Sequence, residues 1–312
     1  MSIQSYKDKY KNGEITKHQL IDELYAKFHS ILFDYSQVLK DTEYDKIEIT
    51  DGKVHFVTKE TNFHDGGIRL LVDQHDKNTI PLMSFDFNVL EPNDSEIIFK
   101  MVKEGDVVFD IGANIGWYSI HLAKKVGNGH IHSFEPIPAT FAQLSQNLAL
   151  NGFENVSINN VALSETPQVL KFFFSPQYSA AASARNITGS AEMIEMECQA
   201  ITLDQYVQEN NVTKLDFIKC DVEGAEYFVY KGGLKTLADL KPIVFTEMLR
   251  KWAAKFDYHP NDIIKLFKDL GYLCFYSDNG KLIEITEVTE TTLPTNYLFL
   301  HQEKHAGIIA GV

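Results

Sequence analysis

Cysteine is scarce in this chain. Cys198, Cys220 and Cys274 are the only three in 312 residues, and their spacing matches neither a disulfide framework nor a zinc site. Basic residues are also short: 29 Lys and Arg face 43 Asp and Glu, a formal charge of -14, and no dense basic stripe stands out. General attraction to nucleic-acid phosphates needs a basic surface, so no nucleic-acid partner is expected. No stretch approaches the ~20 apolar residues that cross a bilayer. Residues 1–7 lack the apolar run of a leader peptide, and the chain has no internal repeat. These absences predict a reducing, cytoplasmic setting with no membrane span. The remaining composition, 44% apolar and 23% charged, is that of a globular protein long enough for a sizeable core.

The period of apolar residues changes along the chain. Leu20, Ile21, Leu24, Phe28, Ile31 and Leu32 return on one helical face within residues 16–39. Segments 46–50 and 54–57 flank Asp51-Gly52 as a hairpin, and 68–72 and 82–90 read as further strands. Residues 1–92 are therefore expected to form an N-terminal helical and β extension, suited to a substrate lid or a homo-oligomer contact. Over residues 93–312 strands and helices alternate, with strands at 106–110, 130–134 and 155–159 and helices at 116–125 and 138–150. Such alternation predicts a parallel sheet with right-handed crossovers. The polar stretch 175–190 reads as a connector. Strands are expected again at 215–220, 242–246, 272–276 and 297–300.

The most informative segment is Asp110-Ile-Gly-Ala-Asn-Ile-Gly116. A buried strand ends in a carboxylate and turns through glycines into a helix, which is a nucleotide-type cradle. Asp110 would repel a dinucleotide pyrophosphate, and Asn114 stands where the phosphate-binding fingerprint needs glycine. S-adenosylmethionine (SAM) lacks phosphate and carries a sulfonium and an ammonium, so an acid at the strand end suits it. Glu135-Pro136 ends the second strand, where an acid accepts hydrogen bonds from two ribose hydroxyls.

With Phe134-Glu-Pro136, Asn160-Val-Ala-Leu-Ser164, Thr202-Leu-Asp204 and Asp216-Phe-Ile-Lys-Cys-Asp-Val-Glu-Gly-Ala-Glu226, the chain resembles the FkbM family of SAM-dependent methyltransferases over residues 93–275. Cys220 replaces the aliphatic residue more frequent there. The resemblance implies an α/β class I SAM-methyltransferase (Rossmann-like) fold, a seven-stranded, mostly parallel sheet with helices on both faces. It implies that Asp110, Gly112, Ala113, Asn114 and Gly116 surround the methionine part of SAM. Glu135 and Pro136 would then hold the ribose, Val161 and Ala162 the adenine, with Asp221 on the same rim. The acceptor implied is a hydroxyl on a sugar, glycan or polyketide-like natural product.

A hydroxyl needs help to lose its proton, so a base or metal is expected. Asp221 is the first candidate base, with Glu223 and His259 as further catalytic candidates. Asp221, Glu223 and Glu247 also match an oxygen-ligand set for Mg²⁺ or Ca²⁺. Glu226 reads as a helix-start acid, and Trp252, Phe256 and Tyr258 read first as core. Two alternatives remain: a nicotinamide-dependent oxidoreductase, disfavoured by Asn114 and Asp110, and a noncatalytic SAM-fold scaffold.

Overall fold

Short apolar runs bounded by glycine, proline or charged residues become the strands of one large sheet. A computed structural model describes the chain except residues 77–79, 89, 176–177, 185–192, 279 and 312. It opens with helices α1 (Ile3–Lys11), α2 (Lys17–Leu24) and α3 (Ser30–Val38), the last two joined by a π-helical turn at Tyr25–His29. Strands β1 (Tyr44–Thr50), β2 (Lys53–Thr58) and β3 (Arg69–Leu71) make a small antiparallel sheet. Helices α4 (Ile80–Asp86) and α5 (Pro92–Met101) follow.

The alternating region then gives β4 (Val107–Ile111), α6 (Trp117–Val126), β5 (His130–Phe134), α7 (Pro138–Asn151) and β6 (Val156–Asn159). Strands β7 (Ala162–Leu163), β8 (Gln168–Ser175), β9 (Tyr178–Ser183) and β10 (Ile194–Ile201) form a separate four-stranded sheet. The chain closes with α8 (Leu203–Glu209), β11 (Phe217–Cys220), α9 (Glu226–Lys231), α10 (Leu234–Leu240), β12 (Ile243–Glu247), α11 (Arg250–Ala253) and α12 (Pro260–Asp269). After these come β13 (Tyr272–Asp278), β14 (Lys281–Glu284), β15 (Asn296–His301) and α13 (Ala306–Ile309).

The large sheet runs β14-β13-β15-β12-β11-β4-β5-β6. Strands β12, β11, β4, β5 and β6 are parallel, while β13, β14 and β15 pair antiparallel. The sheet has eight strands where seven were expected: β13 turns back at the edge and pairs with β14. The central strands β4, β11 and β12 are buried almost throughout, which explains why they are apolar apart from Asp110, Lys219 and the Thr246-Glu247 end. Two apolar cores lie against the sheet. One gathers Val108, Trp117, Ile120 and Leu144 with Tyr44, Phe56, Leu70 and Phe85, so the small N-terminal sheet shares a core with α6 and α7. The other gathers Ile218, Val244, Tyr230 and Phe267. Among the described residues no helix is long and apolar enough to cross a membrane.

Two expectations are corrected. Residues 82–90 do not form a strand; their first half belongs to α4, where Ser84 Oγ donates to Ile80 O at 2.8 Å and Pro81 sits in the first turn, needing no helical donor. Residue 89 lies outside the described residues. The polar stretch 175–190 is not simply a connector, since Tyr178–Ser183 pairs with β8; residues 176–177 and 185–190 lie outside the described residues.

One buried amide ties the small sheet to the body. Asn147 Nδ2 donates to Ile115 O at 2.9 Å, and its Oδ1 accepts from Leu71 N at 2.9 Å. Asn147→Leu strands a buried donor and a buried acceptor, and is expected to lower stability by about 1–3 kcal/mol in urea denaturation.

Candidate active site

The site grows from the register of the central strands. Asp110 on β4 pairs with Ser133 on β5 and with Lys219 on β11, so all three stand in one row across the sheet. Asp110 is fully buried; Ser119 Oγ donates to its Oδ2 at 2.5 Å, and Ser119 meets Ser133 at 2.7 Å. Its Oδ1 has no hydrogen-bond partner and lies 3.9 Å from Lys219 Nζ. Strand alternation puts Asp221 on the same face as Lys219. Lys219 Nζ donates to Asp221 Oδ2 at 3.4 Å and to Gly112 O at 3.3 Å, and stands 5.4 Å from the Tyr118 ring centroid.

The loops at these strand ends touch. Gly112 has φ +80°, and a Cβ there would stand 1.8 Å from Asp221 O, so no side chain fits. Gly112 N and Ala113 N donate to Phe134 O, and Asn114 N donates to Glu135 Oε2, each at 3.0 Å. Ile137 N donates to Glu135 Oε1 at 2.9 Å. Glu135 thus joins the first loop to the start of α7. In the second loop Glu226 accepts from Val222 N and Gly224 N at 3.1 Å, and Tyr258 donates to it at 3.2 Å.

Between the loops lies a cavity of about 350 Å³. Gly112, Ala113, Asn114, Glu135 and Pro136 line one wall, and Val161, Ala162, Leu163 and Phe172 an apolar one. Lys219, Asp221, Glu223, Glu91 and Tyr118 give it a charged wall. The side-chain oxygen of Asn114 is buried without a partner.

Acids crowd around the cavity, some lining it and some behind it. Burial, with Asp221 and Glu226 close by, pushes the Glu223 carboxyl up to about 8. Burial, then the charges of Asp221 and Glu223, pushes Glu247 up to about 10. Burial raises Glu135 to about 7 against its two backbone donors, and Glu226 to about 7 as well. Burial and Asp221 also raise Glu91, which accepts from Tyr118 Oη at 2.9 Å. Lys219 is opposed by burial, yet Asp221, Asp110 and Glu91 hold its ammonium above the usual range.

Most residues expected from the motifs converge on the cavity: Gly112, Ala113, Asn114, Glu135, Pro136, Val161, Ala162, Asp221 and Glu223. Asp110 supports the loop from below, and Gly116 stands behind it against Leu144; neither lines the cavity. His259 is not part of the site. Its ring Nδ1 accepts from Asn261 N and caps α12, and it is exposed. The cation set is not formed either. Glu247 does not line the cavity, and among the described residues no group of three or more His, Cys, Asp or Glu is arranged to hold a metal. Of the aromatic run, Phe256 reaches the cavity. Sequence reasoning missed Lys219, Tyr118 and Glu91. Lys219 lay inside a quoted motif as a charged residue in a buried strand, which was a readable signal.

The methyltransferase FkbM domain family matches residues 110–274, just over half of the chain and the part that supplies most of the cavity lining. The chain belongs to that family of methyltransferases. Among curated relatives, the hexuronic acid methyltransferase AglP of Haloferax volcanii is 26% identical over 148 residues, covering 47% of this chain and 58% of its own. The 31-O-demethyl-FK506 methyltransferase FkbM of Streptomyces tacrolimicus is 27% identical over 158 residues, covering 42% and 60%. The chain spans about three fifths of the length of four curated relatives and a smaller share of three others. A crystal structure of an FkbM methyltransferase from Methylobacillus flagellatus KT aligns over 63% of this chain and 43% of its own, at 14% identity and TM-score 0.40.

The raised acids set a pH dependence. The unfolded chain releases these protons near 4.5, while the folded chain keeps them to about 7–10. Folding therefore takes up protons, and stability falls as pH rises through that window. Between pH 7 and 9, above the histidine range, the melting temperature of the ligand-free protein is expected to drop. Glu247→Gln should flatten that slope in differential scanning fluorimetry.

Proposed function

We propose that the chain is a SAM-dependent methyltransferase that methylates a hydroxyl oxygen on a sugar, glycan or polyketide-like natural product. One observation carries the reading: the glycine loop, Glu135 and Asp221 line a single cavity at the carboxyl ends of parallel strands. A cavity of this size, apolar on one wall and polar on another, suits a small cofactor. The names of two relatives, a hexuronic acid methyltransferase and a 31-O-demethyl-FK506 methyltransferase, support the acceptor class.

The donor residues fit SAM. Each Glu135 oxygen that accepts a backbone N–H keeps a second lone pair for a ribose hydroxyl. Asn114 offers a buried, unpartnered side-chain oxygen at the same wall. Val161, Ala162 and Leu163 offer apolar packing for the adenine. When bound, SAM supplies a sulfonium methyl open to in-line displacement by an oxygen lone pair.

The chain's own work is alignment and proton removal. Holding the two reactants at near-attack distance supplies several kcal/mol, on the order of 7–11 in favourable cases. Asp221 is the cavity acid fixed by an ammonium, so its carboxylate receives the acceptor's hydroxyl proton. Glu223, pushed up to about 8, carries its proton at neutral pH and acts as a hydrogen-bond donor instead of a base. Metal ions are not required by this scheme, which rests on carboxylates alone.

Purified protein incubated with methyl-labelled SAM should transfer label to hydroxylated glycosides, uronic acids or macrolides. Asp221→Asn is expected to keep SAM affinity by calorimetry while lowering turnover about 10²-fold or more. Full activity of that variant would remove Asp221 as the base. Heat with a phosphate-bearing coenzyme and none with SAM would sink the whole reading.

A further inference from the structure

The N-terminal helices are built unlike the rest of the chain. No residue of α2, of the π-helical turn or of α3 is buried, although the segment is rich in apolar side chains. Leu32 and Phe33 are 60% and 61% exposed, Ile21 and Tyr25 are about half exposed, and Ile31 and Val38 are also open. A lone helix open on this scale gains little from folding, because helices owe most of their stability to a packed face. The body meets this helix at Tyr35, which packs on Phe85 of α4 with ring centroids 5.3 Å apart. Tyr6 of α1 meets Phe28 edge-on at 6.4 Å. Among the described residues no segment buries the apolar side chains of α2 and α3.

Charge singles out the same segment. Residues 1–41 hold six lysines and six acids and are neutral, so the entire formal charge of -14 lies in residues 42–312. Two copies of such an acidic chain repel each other almost anywhere else. They meet at least cost where the charge is balanced and the surface is apolar. The absence of a basic excess also makes the helix a poor match for an anionic lipid surface, which favours Lys- and Arg-rich polar faces.

We propose that the exposed face of α2 and α3 is a homodimer interface, covered by the same helices of a second copy. Some 22 residues from Lys17 to Val38 make a rod about 33 Å long. Its open apolar side chains amount to on the order of 600 Å² per copy, so a twofold pairing approaches the ~1,200 Å² at which specific interfaces begin. An isologous pairing of one helix face on itself closes at two copies. The cavity stays clear, because Tyr35 rests on Phe85 of α4 while Ile80 and Met83 of that helix line the cavity.

Light scattering and sedimentation velocity on the full chain test this. At about 10–50 μM the wild type is expected to have twice the chain mass. Leu32→Glu combined with Phe33→Glu should give a monomer, or dimerisation weakened at least tenfold. Both sites are exposed in the single chain, so melting temperature and SAM binding should be retained. Leu293→Glu, at an 89% exposed apolar residue elsewhere, should leave the dimer intact. A monomeric wild type overturns the proposal, and so does a dimer indifferent to the double substitution. A monomer that floats with phosphatidylcholine or phosphatidylserine vesicles would overturn it by reassigning the face to lipid.

Discussion

The ammonium of Lys219 lies where three segments of the chain meet, and the candidate site is arranged around it. It bridges Gly112 O and Asp221 Oδ2, with the Asp110 carboxylate 3.9 Å away. Without it, the buried Asp110 carboxylate would lack its nearby cation and would face the half-open Asp221 as a like charge. With it, one carboxylate can stay buried at the end of β4 while another opens into the cavity. The close approach of Gly112 to Asp221 O is the backbone counterpart of the same contact.

One cation does not neutralise the acids gathered around the cavity. Glu91, Asp94, Glu223, Glu226 and Glu247 all keep protons above the usual carboxylate range, because burial and their neighbours penalise the ionised form. Some of these acids are structural: Glu226 collects two backbone N–H groups and the Tyr258 hydroxyl, and Asp94 accepts from Asn296 at 2.7 Å. Crowding acids around a cavity stores electrostatic cost that a cationic ligand would relieve. That is consistent with a sulfonium donor and with the absence of any phosphate-binding signature in the loop.

Much of the architecture could be read before the fold was known. Buried parallel strands are apolar on both faces, so β4, β11 and β12 announce themselves as short, mainly apolar runs, with Gly112 after β4 and Pro242 before β12. The loop residues Gly112, Asn114 and Glu135 were legible for a related reason, since a tight turn between strand and helix restricts residue type. Segment 82–90 misled because a short apolar run fits a strand or a buried helix equally well, and Pro81 opens a helix as readily as it ends a strand. His259 misled because a histidine beside a proline marks a helix start as well as an active site. Here its ring accepts a backbone N–H at 3.2 Å.

Sequence alone determined the alternation of strand and helix, the family and the cofactor loop, because each depends on spacing along the chain. Tertiary structure decided which acids face the cavity and which merely hold loops. Asp110, Asp221 and Glu247 all stand at or near strand ends, yet one supports the loop from below, one opens into the cavity and one lies off its wall. It also decided that Lys219 is the site's cation and that the first helices lie open to solvent. Those outcomes depend on strand register and on packing between segments more than a hundred residues apart, as Lys219 and Gly112 are, and local spacing carries no record of either.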